Sequence, residues 1–308
     1  MNIFFGFFKL IRWPNLVFIV LTQVFFYFFI ITPIYKEGVP FGTGILTLIC
    51  LCSLFIAAAG YIINDYFDLN IDLVNKPERL IIGNVISRRW AILFHIILSI
   101  LGIVISLYIS LRSNFIILFG NILSVLLLWL YSTTFKKKLL IGNIVISLLT
   151  AWVIIIVFLA LNKSFIFYSP NNLKLHRVFR FEILYASFAF IISLVREVIK
   201  DIEDIEGDSK YGCQTMPIVW GIPVSKVFCA VWIVVLAGAL IALQFYILQL
   251  GWWIFSIYTF IFVILPLIKI LVDLYNAGMI ADYTRLSSLV KLVMFTGIMS
   301  MILLRLYL

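Results

Sequence analysis

The chain is 308 residues long, 64% hydrophobic and only 12% charged, with 29 phenylalanines and a formal charge of +9. A water-soluble domain of this length carries about twice that charged fraction, so a cytosolic globular protein is excluded. The cations fall between apolar runs and form no single patch, which suits membrane topology and anionic headgroups and argues against a nucleic-acid partner.

The opening, MNIFFGFFKLIRWPNLVFIV, has no small-residue cleavage site after its first apolar run, so no removable signal peptide is expected. Arg12 and Asn15 flank Pro14 in IRWPN, a helix-start pattern. Apolar runs of about 20 residues then recur, each long enough as a helix to cross roughly 30 Å of hydrocarbon. Nine are predicted, near 15–34, 41–63, 89–110, 113–132, 139–161, 181–199, 224–247, 251–272 and 288–306. The expected fold class is all-α, a polytopic membrane helical bundle forming one domain over 1–308.

Lys and Arg set the orientation. With the N-terminus cytoplasmic, the inner side collects Lys9, Arg12, Lys76, Arg79, Lys136, Lys200 and most other cations. The outer side keeps Lys36, Arg112, Lys163, Lys174, Arg177, Arg180 and Arg305, with the 162–180 loop opposing the trend. Segments 2, 4, 6 and 8 then end on the cytoplasmic face.

Two of those ends are strongly acidic. NDYFDLNIDLVNKPERL, from Asn64 to Leu80, follows segment 2, and residues 197–208 close segment 6. Ten of the 14 acids lie in these windows: Asp65, Asp68, Asp72 and Glu78, then Glu197, Asp201, Glu203, Asp204, Glu206 and Asp208. If the helix of segment 2 continues past Asn64, then Asn64, Asp68 and Asp72 stack one turn apart; Asp201, Asp204 and Asp208 follow at i, i+3 and i+7. Stacked carboxylates repel each other unless a cation sits against them. Magnesium is the natural partner, because it takes oxygen ligands, often one or two carboxylates per ion, and fills its shell with water and phosphate. Two facing ladders could bridge such ions to a diphosphate, with Lys76, Arg79, Lys136 and Lys200 neutralising the remaining charge. Solvated surface acids are the plain alternative for any one residue; two helically spaced ladders on one side of the membrane favour the metal.

Other signals are weaker. Tyr131, ahead of Lys136 in YSTTFKKKLLIGN, reads first as an interfacial anchor. The four cysteines form neither a disulfide framework nor a metal spacing, and only Cys213 lies in a polar stretch where a thiol could react. No Ser/His/Asp set, P-loop or dinucleotide fingerprint occurs.

At the acidic windows the chain resembles the UbiA superfamily of intramembrane prenyltransferases. NDYFDLNIDLVNKPER matches the first family motif, N-D-x-x-D-x-x-x-D followed by K/R-P-x-R. DIEDIEGDSKYGCQTMPIVWG matches the second, including Gly212, Thr215, Pro217 and Gly221. RWPN and YSTTFKKKLLIGN are similar to further landmarks, so the likeness covers nearly the whole chain; Leu80 departs from it, where members often carry Pro. REVIKDIEDIEGD is most similar to the branch that makes ether-lipid precursors, the digeranylgeranylglyceryl phosphate synthases.

The resemblance implies nine transmembrane helices around a central cavity, with magnesium and diphosphate near the cytoplasmic face and the isoprenoid tail in an apolar tunnel. It implies that Asn64, Asp68, Asp72, Asp204 and Asp208 bind the metal–diphosphate, the four aspartates being catalytic. Asp201 would assist, and Arg79 and Lys136 would contact phosphate oxygens. The expected reaction is magnesium-dependent transfer of a prenyl group, geranylgeranyl favoured, from its diphosphate to a lipophilic acceptor in the membrane, a prenylglyceryl phosphate. The rival enzyme reading is prenylation of an aromatic quinone or chlorophyll-type precursor. A cation-coupled transporter is the non-enzyme rival, opposed by acids that sit at helix ends and not at the midplane.

Overall fold

The computed structural model describes residues 3–36, 38–75, 77, 80–162 and 172–308. Among these, nine helices are long and apolar enough to cross a bilayer. They are α1 (Trp13–Tyr35), α2 (Thr43–Phe67), α3 (Arg88–Arg112), α4 (Phe115–Thr133), α5 (Ile141–Leu159), α6 (Leu173–Glu203), α7 (Gly221–Gln249), α8 (Trp253–Asn276) and α9 (Ile280–Leu304). Every predicted segment has its helix, but several helices outrun the prediction. α6 starts at Leu173 instead of near 181, and α9 at Ile280 instead of near 288. The added turns carry His176, Arg177 and Arg180 in α6, and Asp282 and Arg285 in α9. Hydropathy marks only the part of a helix inside hydrocarbon, whereas backbone hydrogen bonding continues the helix into the polar zone. A short helix, Ile3–Leu10, also precedes α1 where none was expected.

Two prolines shape the spans that contain them. A proline inside a helix lacks the N–H that would bond the carbonyl one turn back, and its ring crowds that carbonyl. Just ahead of Pro33 the chain widens into a π turn over Tyr27–Ile31, and ahead of Pro266 it does so over Phe260–Ile264.

The helices close into a ring. α1 packs on α2, α5 and α9; α2 packs on α3 and α4; α6 packs on α5, α7 and α9. Large apolar side chains such as Leu111, Phe119 and Phe245 stay about two-thirds exposed (67%, 66% and 68%), pointing outward where lipid is the solvent. The buried interior instead holds polar residues that bond between helices. Gln23 donates to Ser53 Oγ (2.8 Å) and to the Val153 carbonyl (3.1 Å), linking α1 to α2 and α5. Asn121 donates to Ser106 Oγ (3.0 Å) and accepts from Trp152 Nε1 (2.9 Å). In hydrocarbon, where no hydrophobic driving force pairs the helices, such bonds act with close packing to fix which helix meets which.

Gly120 makes the last of these possible, because a Cβ there would lie 2.1 Å from the Trp152 ring. Gly120→Ala therefore overpacks the α4–α5 contact, with an expected loss of about 1–3 kcal/mol. The check is the midpoint of thermal unfolding in detergent; an unchanged midpoint would mean that the ring moves aside freely.

Candidate active site

Both acidic windows lie at the same end of the bundle, and each contains the point where a spanning helix breaks. α2 ends at Phe67 and the chain bends at Asp68 before a short helix over Leu69–Asn75. α6 ends at Glu203 and bends at Asp204 before a short helix over Ile205–Lys210. The expected unbroken helices are thus each interrupted, yet the four-residue rhythm survives in the backbone. Asp68 N–H donates to the Asn64 carbonyl (3.0 Å) and Asp72 N–H to that of Asp68 (2.8 Å). Asp204 and Asp208 repeat the pattern on Lys200 and Asp204 (2.9 and 3.1 Å).

One asparagine joins the two halves. Asn75 donates to the Asp204 carbonyl (3.1 Å) and accepts from the Gly207 N–H (2.8 Å). Gly207 has no room for anything larger, since a Cβ would meet the Asn75 side chain at 2.5 Å. A further strap runs from Gln214 N–H to the Lys137 carbonyl (2.8 Å) in the turn after α4.

Asp68 is nearly buried and is ion-paired with Lys136 Nζ, while Asn64 Nδ2 donates to the same carboxylate oxygen (2.7 Å). Burial opposes the Lys136 charge, but Asp68 beside it prevails and holds the ammonium well above the usual lysine range. Asp72 and Asp208 are both pushed up to about 6, chiefly by burial, with neighbouring aspartates adding to the shift. Among the described residues the site thus gathers more carboxylate than its cations compensate. Two buried oxygens, Asp208 Oδ1 and Asn64 Oδ1, have no hydrogen-bond partner. Hard oxygen donors without partners, in a field short of positive charge, fit a divalent cation such as magnesium. Among the described residues no three acidic, His or Cys side chains converge on one point. Magnesium, which takes one or two carboxylates and completes its shell with water and phosphate, does not require such a convergence.

The remaining expectations divide. Asp201 is held by Asn143 Nδ2 (2.8 Å), still within the field of Asp208 and Lys136. Arg79 and Lys76 lie outside the described residues. Lys200 bonds Glu197 (3.3 Å) instead of joining Lys136. Cys213, singled out as a reactive thiol, is buried, and burial pushes it up to about 11. The thiolate is the nucleophile, so at pH 7.5 Cys213 should resist alkylation until the protein unfolds. Fast labelling of the folded protein at that residue, read by mass spectrometry, would contradict this placement. Sequence reasoning missed Asn75 and Asn143. Asn75 did carry a signal, a local-bonding residue at a helix end between acids; Asn143, inside an apolar run, carried only its own polarity.

Beside the acidic end a cavity of about 240 Å³ opens into the bundle. Asn64 and Tyr131 stand at its acidic end, and Phe18, Ile56, Leu149 and Trp152 contribute to its apolar walls. A second void of about 80 Å³ shares Phe18, Ile19, Thr150, Val153 and Met294 with it and reaches Phe188 and Met301. The arrangement is a polar, cation-seeking rim on a chamber lined mostly by hydrocarbon and aromatic groups.

Residues 14–289 match the model of the UbiA prenyltransferase family. A digeranylgeranylglyceryl phosphate synthase of Methanobrevibacter smithii is 32% identical over 77% of each chain. The protein of the same name from Methanothermobacter thermautotrophicus is 38% identical, over 56% of this chain and about half (54%) of its own length. Among solved structures, one of digeranylgeranylglyceryl phosphate synthase in membranes superposes with a TM-score of 0.65 at 26% identity, covering 98% of this chain and 99% of the other. A UbiA homolog from Archaeoglobus fulgidus, bound to GPP and Mg2+, shares the fold with a TM-score of 0.59 at 17% identity, covering 96% and 99%.

Proposed function

This chain belongs to the UbiA prenyltransferase family, and from that premise we propose that it transfers a geranylgeranyl group from its diphosphate to the free hydroxyl of a prenylglyceryl phosphate. It is an integral, multi-pass membrane prenyltransferase; the donor, the acceptor, the metal and the cytoplasmic facing of the site are our reading. The observation that carries it is the pair of unpartnered buried oxygens in the acidic rim, Asp208 Oδ1 and Asn64 Oδ1, of which Asn64 also lines the largely apolar chamber.

Asp68, Asp72, Asp204, Asp208 and Asn64 would hold magnesium, which supplies charge neutralisation for a departing diphosphate. Lys136, anchored on Asp68, would contact the phosphate oxygens of that leaving group, and Arg79 would add a bidentate contact. Asn75 sets the distance between the two acidic strands of chain. The walls around Phe18, Ile56 and Trp152 take the isoprenoid and keep water from an electron-poor allylic carbon. The bond from that carbon to the diphosphate oxygen breaks, a bond to the acceptor hydroxyl oxygen forms, and the hydroxyl proton passes to the released diphosphate.

The test is product analysis. Membranes containing the protein are given labelled geranylgeranyl diphosphate with either a prenylglyceryl phosphate or an aromatic acid. The expected product is a doubly prenylated glyceryl phosphate with matching diphosphate release. Label on the aromatic acid alone would replace this acceptor by the quinone-type one, and ion flux without diphosphate release would replace the enzyme by a transporter.

A further inference from the structure

The short helix Ile3–Leu10 lines neither the rim nor the chamber, yet it turns a row of aromatic side chains outward. Phe4 and Phe5 are about two-thirds exposed (64% and 68%), and Phe8 and Trp13 are exposed as well. The Phe4 and Phe8 rings lie 4.9 Å apart, so the outer face is continuous over a full turn. The other face is buried against the body of the protein. Gly6 sits so close to Val85 that a Cβ would come within 2.7 Å of it, and Phe7 meets the Phe94 ring edge-on at 5.2 Å. Leu10 and Ile11 join Ile62, Ile81, Ile82 and Ile86 in one buried cluster. The chain then takes a left-handed turn at Arg12 (φ 51°), whose guanidinium bonds Asp65 Oδ1 at 2.6 Å and stands 5.2 Å from the centre of the Tyr61 ring. The helix is thereby tied to both flanks of the first acidic window. It reaches Asp65 at the window's start through Arg12, and the turn over 81–86 just past its end through Gly6 and Leu10.

We propose that Ile3–Leu10 is an interfacial anchor, lying in the phospholipid headgroup zone at the acidic end of the bundle and clamping the first acidic window to that surface. The clamp rests on the reading above that this window binds magnesium; the anchor does not. Eight helical residues span about 12 Å, far too little to cross a bilayer, so an apolar outer face here has to lie along the surface or stay in water. Its surroundings favour the lipid. Trp90, 56% exposed at the start of α3, packs on Phe94 at 5.8 Å, and Phe94 in turn touches Phe7. The aromatic face therefore runs on into α3, a spanning helix whose Ile97 and Ile100 are exposed to the hydrocarbon. Lys9 on the helix and Arg88 and Arg89 beside Trp90 are exposed as well. Aromatic rings at the acyl boundary with cations at the phosphates are the chemistry of an anionic membrane surface. The break at Arg12 makes the helix a separate piece, held inward by Gly6, Phe7 and Leu10 and outward by lipid. Release from the surface would shift Arg12, and with it Asp65, which is the neighbour of Asn64 in the rim.

The experiment uses the full-length protein in nanodiscs of phosphatidylcholine and phosphatidylglycerol. Phe5→Cys carries a fluorophore, and the four native cysteines are buried and do not compete for it. Lipids spin-labelled near the top of the acyl chain should quench this label at least about threefold more strongly than aqueous iodide does. Iodide quenching as strong as that of the free dye overturns the anchor. So does shielding from both quenchers, which a protein partner or a second copy on this face would produce. The clamp is read in turnover. Changing Phe4, Phe5 and Phe8 together to Ser should raise the magnesium concentration for half-maximal rate about 3- to 10-fold, whereas changing the same three to Leu should keep it. Phe245→Ser, on the outward face of α7, should leave it within about twofold. If the serine variant does not assemble into discs, Gly6→Leu repeats the test by pushing the helix off Val85 with its aromatic face intact. An unshifted half-saturation overturns the clamp. A wild type without magnesium-dependent turnover removes the metal reading and the clamp with it, and the label still decides the anchor.

Discussion

Asp68→Ala should lower kcat for prenyl transfer by about three orders of magnitude or more, with the protein still folded in membranes. The carboxylate is nearly buried, and one oxygen takes both Lys136 and Asn64, so no neighbour can replace it. Its removal strips a ligand from the proposed metal site and also leaves the Lys136 ammonium buried without its partner. Asp68→Asn should fare little better, because a neutral amide satisfies neither the ammonium nor a divalent ion. Turnover of labelled geranylgeranyl diphosphate measures the effect, with elution in detergent as the folding control. Chelation of magnesium in the wild type should reduce activity to a similar floor. If Asp68→Ala kept activity within tenfold of the wild type (about 1.4 kcal/mol), the assignment of the acidic rim would be wrong.

Asn75→Ala should lower kcat/KM about 10- to 100-fold and raise the magnesium concentration needed for half-maximal rate. Asn75 is not expected to touch substrate; it acts by tying the Asp204 carbonyl and the Gly207 N–H to the chain that carries Asp68 and Asp72. Without that tie the two acidic windows are no longer held at a set separation, and a misplacement of about 1 Å is enough to cost this much. Gly207→Ala should reproduce the defect from the other side, since its Cβ would collide with the Asn75 amide. The diagnostic quantity is the magnesium titration. A drop in rate with an unshifted half-saturation would mean that Asn75 serves general stability instead.

Much of the molecule was legible because bilayer physics is coarse. A span needs about 20 apolar residues and little else, so the nine runs correspond to nine spanning helices among the described residues. The acidic windows were legible for a related reason: an ionised carboxylate is expensive beside hydrocarbon, and ten of 14 crowded at two helix ends need a task. The rhythm of Asn64, Asp68 and Asp72 followed from helical periodicity and persists through the bend at Asp68. Where helices stop was less legible. The charged turns that begin α6 and α9 lie beyond the apolar signal, and hydropathy does not register hydrogen bonds made in the polar zone.

Sequence alone therefore determined the class of the protein, the nine spans found among the described residues and the acidic residues proposed for the site, because each depends on local spacing and solvent preference. Tertiary structure alone decided which charges meet. Asn75 reaches Gly207 132 positions away, Lys136 reaches Asp68 across 68, and Asn143 takes Asp201 across 58. Cys213, polar by its neighbours in sequence, is buried by its neighbours in space. Arg12 reaches Asp65 only because α1 and α2 pack side by side. Burial and pairing depend on which helices touch, and that choice is made by buried contacts such as Gln23 with Ser53 and Trp152 with Asn121, each spanning 30 residues or more.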